Sequence, residues 1–399
     1  MAKITPPKYV KQVLLGLQAR EHRAYLVGGC VRDMILGIAP NDWDICTSAL
    51  PEEVMEVFPS SRPTGLRHGT VTVVVGSHSV EVTTFRTDGE YSDHRRPDNI
   101  SFVTDLTADL SRRDFTMNAV ALSPDGLTVD PFDGIEDIRL GIVRCVGEPA
   151  VRFQEDALRM FRALRFAARL GFTIDIGTYS GIAACAPLAA TLAAERVRDE
   201  LEKTLLTNHT ERIGEMIGLG LLNRYIIPSG KNDALNFSAL AHLQKKALLR
   251  WTAFSVLLQE RGMIRDVRKF LLSLRLDGRT VRCCAAAAEI IRLPPAEDKL
   301  GWKKLLNRYG VDSVACAAAA YGVLTGDGEY EKQFVSVLKS GECFSMRRLA
   351  VSGDDLLELG LRGPELGEMM RFLLEYVMEH PEFNKRELLL SLARGTEEN

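Results

Sequence analysis

The run Leu26-Val27-Gly28-Gly29-Cys30-Val31-Arg32-Asp33, followed by Asn41-Asp42-Trp43-Asp44-Ile45, decides how this chain is read. The apolar stretch at 24–27 predicts a strand, the glycine pair permits a backbone close to a ligand, and residues 31–36 predict the helix that follows. Backbone N–H groups at that helix start, with Arg32 beside them, would attract the oxygens of a triphosphate. In the next predicted strand, Asp42 and Asp44 are two residues apart and so share one face. Two carboxylates at that separation suit Mg²⁺, which prefers carboxylates, water and substrate phosphates. A phosphate site therefore faces a metal site.

A Gly-Gly before a helix is commonly only a turn, and an isolated D-x-D is commonly a solvated strand edge. The ordered layout is more specific: strand, Gly-Gly turn, Arg-Asp, then a strand with D-x-D resembles the polymerase-β-like nucleotidyltransferases. Nucleotidyl transfer needs in-line attack of a hydroxyl on an α-phosphate, with metal ions activating the oxygen and stabilising the leaving pyrophosphate. Asp42 and Asp44 are the expected catalytic, metal-holding pair. Glu81 is the best placed third carboxylate; an edge-exposed or ion-paired glutamate is the alternative. Arg112-Arg113-Asp114-Phe115-Thr116-Met117-Asn118-Ala119 predicts a helix start whose basic residues meet phosphate, with Arg113 the ligand and Asp114 a cap.

At 399 residues the chain exceeds one typical domain of roughly 100–200 residues. Its 46% hydrophobic and 26% charged content is that of a soluble protein, and no apolar run is long enough to span a bilayer. The N-terminus lacks the features of a signal peptide, so a cytoplasmic location is expected. Cys30, Cys46, Cys145, Cys185, Cys283, Cys284, Cys316 and Cys343 show no C-x-x-C spacing and read as reduced, buried residues rather than zinc ligands. Strands are predicted at 24–27, 43–47, 70–75 and 79–85; beyond Gly147 the pattern is helical, broken at Pro228-Ser229-Gly230, Leu293-Pro294-Pro295 and Gly326-Asp327-Gly328. The polar stretch 87–99, with Tyr91, Asp93, His94, Arg95 and Arg96, is expected to be a loop over the site.

Residues 153–166 carry the second signal. They predict one helix, with Leu158, Phe161 and Leu164 on one side and Asp156, Arg159, Arg162 and Arg165 recurring every three residues. Most such strips are solvated ion pairs. Here a chemical reading explains more. Cytosine and adenine each present an amino donor beside a ring acceptor, whereas uracil and guanine present the reverse order. One carboxylate beside one guanidinium, Asp156 with Arg159, would therefore take C and A and reject U and G, because a wrong base leaves buried polar groups unpaired. Arg162 and Arg165 would reach phosphate or support the pair, and Glu195-Arg196-Val197-Arg198-Asp199-Glu200-Leu201 would brace the site.

Between residues 245 and 282, ten basic side chains (Lys245, Lys246, Arg250, Arg261, Arg265, Arg268, Lys269, Arg275, Arg279, Arg282) stand against Glu260, Asp266 and Asp277. In a chain of net charge −3 this local excess points to a polyanion, and RNA read by shape needs phosphate contacts.

These residues resemble the class II bacterial CCA-adding enzymes, a family that also contains bacterial poly(A) polymerases. The resemblance rests on Gly28-Gly29-x-x-Arg32-Asp33, Asp42-x-Asp44, Arg112-Arg113-Asp114-Phe115-Thr116-x-Asn118-Ala119, Asp130-Pro131-Phe132-x-Gly134 and Glu155-Asp156-x-x-Arg159, with a tail from Ser352 through Gly367. It implies an α+β fold: a polymerase-β-like head with a mixed sheet at 1–146, then an all-α neck at 147–205, body at 206–312 and tRNA-binding tail at 313–399. It implies addition of CCA to the acceptor end of tRNA from CTP and ATP with Mg²⁺. Asp42 and Asp44 would bind metal; Gly29, Arg32 and Arg113 would contact the nucleotide; Asp156, Arg159, Arg162 and Arg165 would form the base-recognition strip. The alternatives are an A-adding or poly(A)-synthesising relative and an RNA-binding protein with a decayed head. Leu366, Met369, Met370, Leu373 and Val377 fit either packing on the chain or dimerisation, so a monomer or homodimer is expected.

Overall fold

A computed structural model describes residues 5–89, 99–228 and 237–395. The segment at 91–96 expected to cover the site lies outside the described residues. The rest falls into two compact units, the first running through Arg224 and the second from Ala239 onward, with short pieces exchanged at the junction.

The first unit opens with α1 (Lys8–Gln18), β1 (Ala24–Val27), α2 (Gly29–Ile35), β2 (Asp44–Thr47), α3 (Pro51–Val57), β3 (Arg62–Gly65), β4 (Thr70–Val75) and β5 (His78–Thr84). A ribbon of β6 (Arg86–Asp88) and β7 (Ile100–Phe102), then α4 (Leu106–Ser111), β8 (Ala121–Leu122), β9 (Thr128–Val129), α5 (Gly134–Leu140) and β10 (Ile142–Val143), complete the head. Seven strands form one sheet in the order β3-β4-β5-β2-β1-β8-β9, with β2 and β5 parallel and the other neighbours antiparallel. This is the mixed sheet expected.

Period-two alternation sends the central strands to two cores. Ala24, Leu26, Ile45, Val80 and Val82 join Val10, Val13, Leu14 and Leu17 of α1 on one face. Val27 and Cys46 join Phe85, Leu106, Leu110 and Val146 on the other. A central strand wrapped on both faces holds its C-terminal end still, and the Gly-Gly turn sits at that end of β1.

The helical part of this unit comprises α6 (Pro149–Glu155), α7 (Leu158–Leu170), the short β11 (Thr173–Ile174), α8 (Ile176–Cys185), α9 (Ala194–Leu205) and α10 (Arg212–Gly218). Within the head, Gly134 lets the start of α5 approach Thr116: a Cβ there would overlap the carbonyl oxygen of Thr116, so only glycine admits this approach.

The second unit is helical throughout its described residues: α11 (Ala247–Glu260), α12 (Val267–Ser273), α13 (Gly278–Ile291), α14 (Lys299–Thr325, broken at Gly310), α15 (Glu329–Lys339), α16 (Gly353–Glu358), α17 (Pro364–Glu379) and α18 (Arg386–Ala393). Breaks fall at the expected Pro-Pro and Gly-Asp-Gly turns. Leu373 and Val377 are buried in a core with Leu356 and Leu389, and Leu366, Met369 and Met370 pack against it, so the apolar face of α17 is covered within its own unit. All eight cysteines are free and buried.

Candidate active site

The turn after β1 is built around Gly28, whose φ of 78° favours glycine. A Cβ at Gly28 would lie 3.2 Å from Arg113 Nη1 and 3.9 Å from Asp44 Oδ2. The absent side chain is thus what lets a guanidinium and a carboxylate converge on the turn. The strand that presents Asp44 starts at Asp44 itself; Asp42 lies in the preceding bend and is exposed. The expectation that both aspartates occupy the strand is corrected: the Asn41-Asp42 bend precedes the strand, which begins two residues after Asp42, with Trp43 buried between them. In the parallel pairing of β2 and β5, Asp44 is in register with Glu81. Burial pushes the Asp44 carboxyl above its ordinary range, with Glu81 and Asp42 repelling in the same sense and Arg113 opposing.

Among the described residues no group of three or more His, Cys, Asp or Glu is gathered as a complete metal site. Two carboxylates suffice for Mg²⁺ when water and substrate phosphates fill its remaining positions. The donor set therefore fits a hard divalent ion, and the repulsion on Asp44 is what a cation there would relieve.

Arg112 and Arg113 do not open a helix. They close one: α4 ends at Ser111 and Arg112 is its C-cap, followed by a short 3₁₀ turn at Thr116–Asn118. The physical reason is Asp109, fully buried one turn earlier, which accepts from Arg112 Nε (3.0 Å) and Nη2 (2.8 Å) and from Arg113 Nη2 (3.2 Å). Asp109 holds Arg113 against the glycine turn and was missed from sequence; its i,i+4 spacing to Arg113 was the available signal. Among the described residues Arg113 Nε is buried without a hydrogen-bond partner.

Arg32, expected at the nucleotide, is only 2% exposed. It donates to Asp33 and to Asn118 Oδ1 (2.7 Å), and its guanidinium lies 5.0 Å from the Phe166 ring centroid. Asp33 in turn accepts from Arg169 of α7 at 3.1 Å. The Arg-Asp pair of the motif thus fastens α2 to α7, next to Gly29.

The stretch 153–166 is not one helix. It breaks at Asp156, whose φ of −140° and ψ of 104° are extended, and Asp156 Oδ1 accepts from Leu158 N at 3.0 Å. Asp156 caps α7, the competition with helix that short acidic side chains offer. Nor is the strip solvated: Arg159 and Arg165 are buried. Asp156 pairs with Arg196 of α9 through both oxygens (3.2 and 2.9 Å) rather than with Arg159. Arg159 pairs with Glu155 at 2.6 Å, and also donates to the carbonyls of Arg152 and Arg112. Arg162 grips Asp114 twice (2.8 and 2.6 Å), and Arg165 pairs with Glu200 of α9. Asp114 is therefore an inter-element partner, not a simple cap. Burial alone would raise its carboxyl, but Arg162, with Asn118, holds it down at about 2. The bracing expected of Arg196 and Glu200 is present.

In the second unit, Arg250 is fully buried and donates to the carbonyls of Ala241 and Leu243, so it leaves the basic surface expected of 245–282. Exposed Arg268 and Arg282, with Arg292, line a cleft of about 430 Å³ beside Glu289 and Tyr309.

Residues 24–144 match the family model described as the poly A polymerase head domain, and residues 171–232 the one described as a probable RNA and SrmB-binding site of polymerase A. Sheet, turn and carboxylates together make this a nucleotidyltransferase. The CCA-adding enzyme of Lactiplantibacillus plantarum is 37% identical over 397 residues, covering 96% of this chain and 95% of the relative. The CCA-adding enzyme of Bacillus stearothermophilus, solved in complex with CTP, superposes with a TM-score of 0.84 at 32% identity, covering 98% of both chains. The Thermotoga maritima CCA-adding enzyme, at 20% identity and a TM-score of 0.69, shares the fold. The chain belongs to the family of CCA-adding enzymes.

Proposed function

We propose that the chain completes the 3′-terminal CCA of tRNA from CTP and ATP, without a nucleic-acid template and with release of pyrophosphate. The oxygen of the tRNA 3′-hydroxyl attacks the α-phosphorus; the bond to the β-phosphate oxygen breaks and the hydroxyl proton is lost. The observation that carries this reading is the convergence of Arg113 and Asp44 on Gly28. Gly29 and Arg113 hold the triphosphate, and Arg32 steadies the turn through Asn118. Asp42 and Asp44 would hold Mg²⁺, which when bound would neutralise charge on the phosphates and activate the attacking hydroxyl.

Asp156 and Arg159 read the base: a carboxylate acceptor and a guanidinium donor complement the amino and ring-nitrogen edge shared by cytosine and adenine. Arg162 and Arg165 support them through Asp114 and Glu200. The tRNA backbone meets the exposed basic side chains of α12 and α13 in the second unit. We divide the chain into head (1–146), neck (147–205), body (206–312) and tail (313–399). Among the described residues no helix is long and apolar enough to cross a membrane, and we place the reaction in the cytoplasm.

The deciding experiment extends a tRNA transcript lacking its 3′ CCA, with Mg²⁺ and CTP alone, ATP alone or both. Two additions with CTP and three with both are expected. A single A on a tRNA already ending in CC, or an A ladder, would make this an A-adding or poly(A)-synthesising member. Binding without any addition would leave an RNA-binding protein.

A further inference from the structure

Three guanidinium groups gather round one aromatic ring. The guanidinium carbons of Arg165, Arg32 and Arg162 lie 3.9, 5.0 and 5.3 Å from the ring centroid of Phe166, a buried residue of α7. Phe115 stands nearly perpendicular to the same ring, with centroids 5.8 Å apart. Arg32 comes from α2, behind the glycine turn, whereas Arg162 and Arg165 come from α7 itself. Arg32 pairs with Asp33, Arg162 with Asp114 and Arg165 with Glu200. Hydrogen bonds link two of the three: Arg32 Nη1 donates to Asn118 Oδ1 at 2.7 Å, Asn118 Nδ2 donates to Asp114 Oδ1 at 3.1 Å, and Arg162 holds Asp114 Oδ2. That chain leaves out Arg165. Among these contacts the ring of Phe166 alone is shared by all three arginines.

Like charges brought this close repel. Burial works against the charged form of Arg165; Glu200 opposes that and Arg162 adds to it. The negative face of an aromatic ring attracts a cation within about 6 Å of its centroid, and the flat, weakly hydrated guanidinium suits it better than an ammonium does. A leucine would fill the space and offer no such face. We infer that Phe166 is a positioning residue for nucleotidyl transfer: by cation–π attraction its ring seats Arg32, and with it the phosphate end of the nucleotide site, against Arg162 and Arg165 at the base end. This rests on the reading of the glycine turn as the phosphate site and of the α7 strip as the base site. Phe166 is buried and acts only through the arginines, so it sets the separation of the two ends rather than the choice of base. A shift of Arg32 misplaces the phosphates of CTP and ATP alike.

The test replaces Phe166 in the full chain, by nonsense suppression, with phenylalanine carrying one, two or three ring fluorines. Fluorine drains negative charge from the ring face while nearly keeping its shape and apolar character. kcat/KM is measured for CTP on tRNA lacking CCA and for ATP on tRNA ending in CC, with tRNA Kd and melting temperature alongside. Both kcat/KM values should fall with each fluorine, by the same factor for the two nucleotides, reaching roughly tenfold at three, the scale of one desolvated cation–π contact, with tRNA Kd unchanged. Phe166→Leu, which has no π face, should lose more than the trifluorinated variant; should it fail to fold, the fluorinated series carries the test. Equal kcat/KM across the series overturns the inference, because packing alone then accounts for the ring. A graded fall in melting temperature with kcat/KM constant overturns it too, leaving the ring a purely structural contact. A wild type that adds neither C nor A removes the reading beneath the inference, whereas a wild type that adds both, with a flat fluorinated series, removes only the role of Phe166.

Discussion

Asp44 stands in register with Glu81 across the parallel strands β2 and β5, one carboxylate residue facing another at the mouth of the glycine turn. Burial, then Glu81 and Asp42, raise the Asp44 carboxyl, so the folded apo chain binds its proton more tightly than the unfolded chain does. Ionising Asp44 therefore costs stability as pH rises through its folded value. Asp44→Asn should melt above wild type at pH 7 in the absence of metal while losing about a thousandfold or more in activity. A lower melting temperature would remove the repulsion argument.

Glu81→Gln relieves Asp44 of a like charge. The acid limb of the kcat/KM profile for CTP should move to lower pH, because Asp44 then ionises more readily. An acid limb that stays in place would show that Asp44 does not titrate there.

Asp114 ties the turn after α4 to α7 through Arg162. Its folded value of about 2 lies below the unfolded range near 4, so its contribution is present above about pH 4 and disappears as pH falls towards 2. Asp114→Asn should lower stability at pH 7 by roughly 2 kcal/mol and flatten the acid unfolding curve over that window. Urea titrations at pH 7 and pH 3 measure both effects; equal destabilisation at the two pH values would contradict the ion pair.

Asp109 accepts from Arg112 and Arg113 with its side chain fully enclosed. Asp109→Ala leaves two guanidinium groups without that partner and should cost roughly 3 kcal/mol. At temperatures where the variant stays folded, KM for CTP and ATP should rise together, since Arg113 loses its support before any base is read. A change confined to one nucleotide would argue against a shared phosphate contact.

Gly28→Ala places a Cβ 3.2 Å from Arg113 Nη1 on a backbone at φ 78°. The backbone there, with ψ −136° as well, lies in a region left to glycine, so the strain should cost about 1–3 kcal/mol, and displacement of Arg113 should raise KM for both nucleotides by about tenfold. Gly37→Ala, at φ 72° with nothing within 4 Å of the new Cβ, carries the strain without the displacement and should leave KM unchanged.

Much of the head was legible in its sequence because its signals are local. Strand alternation at 24–27 and 70–75 gave β1 and β4 their observed limits, and the Gly-Gly turn lies where glycine spacing placed it. The helix drawn through 153–166 was wrong at one residue for an identifiable reason. Apolar periodicity runs through Asp156 unbroken, but its side chain satisfies Leu158 N and the backbone turns extended there. Residues 112–119 misled in the opposite sense, since a basic pair fits either end of a helix until its acidic partner is located.

The amino-acid order by itself determined the inventory: a glycine turn, two aspartates separated by one residue, an Asp-Arg strip and a helical remainder, each encoded within a few residues by periodicity and spacing. Only the tertiary structure decided the partners. Asp156 and Arg196 are 40 residues apart, Arg162 and Asp114 are 48 apart, and Arg32 meets Asn118 across 86. Nearest charges in sequence predicted Asp156 with Arg159, yet an ion pair forms wherever packing brings a fork and a carboxylate into hydrogen-bond reach, and that distance is set by how α7 and α9 pack, not by the number of residues between them.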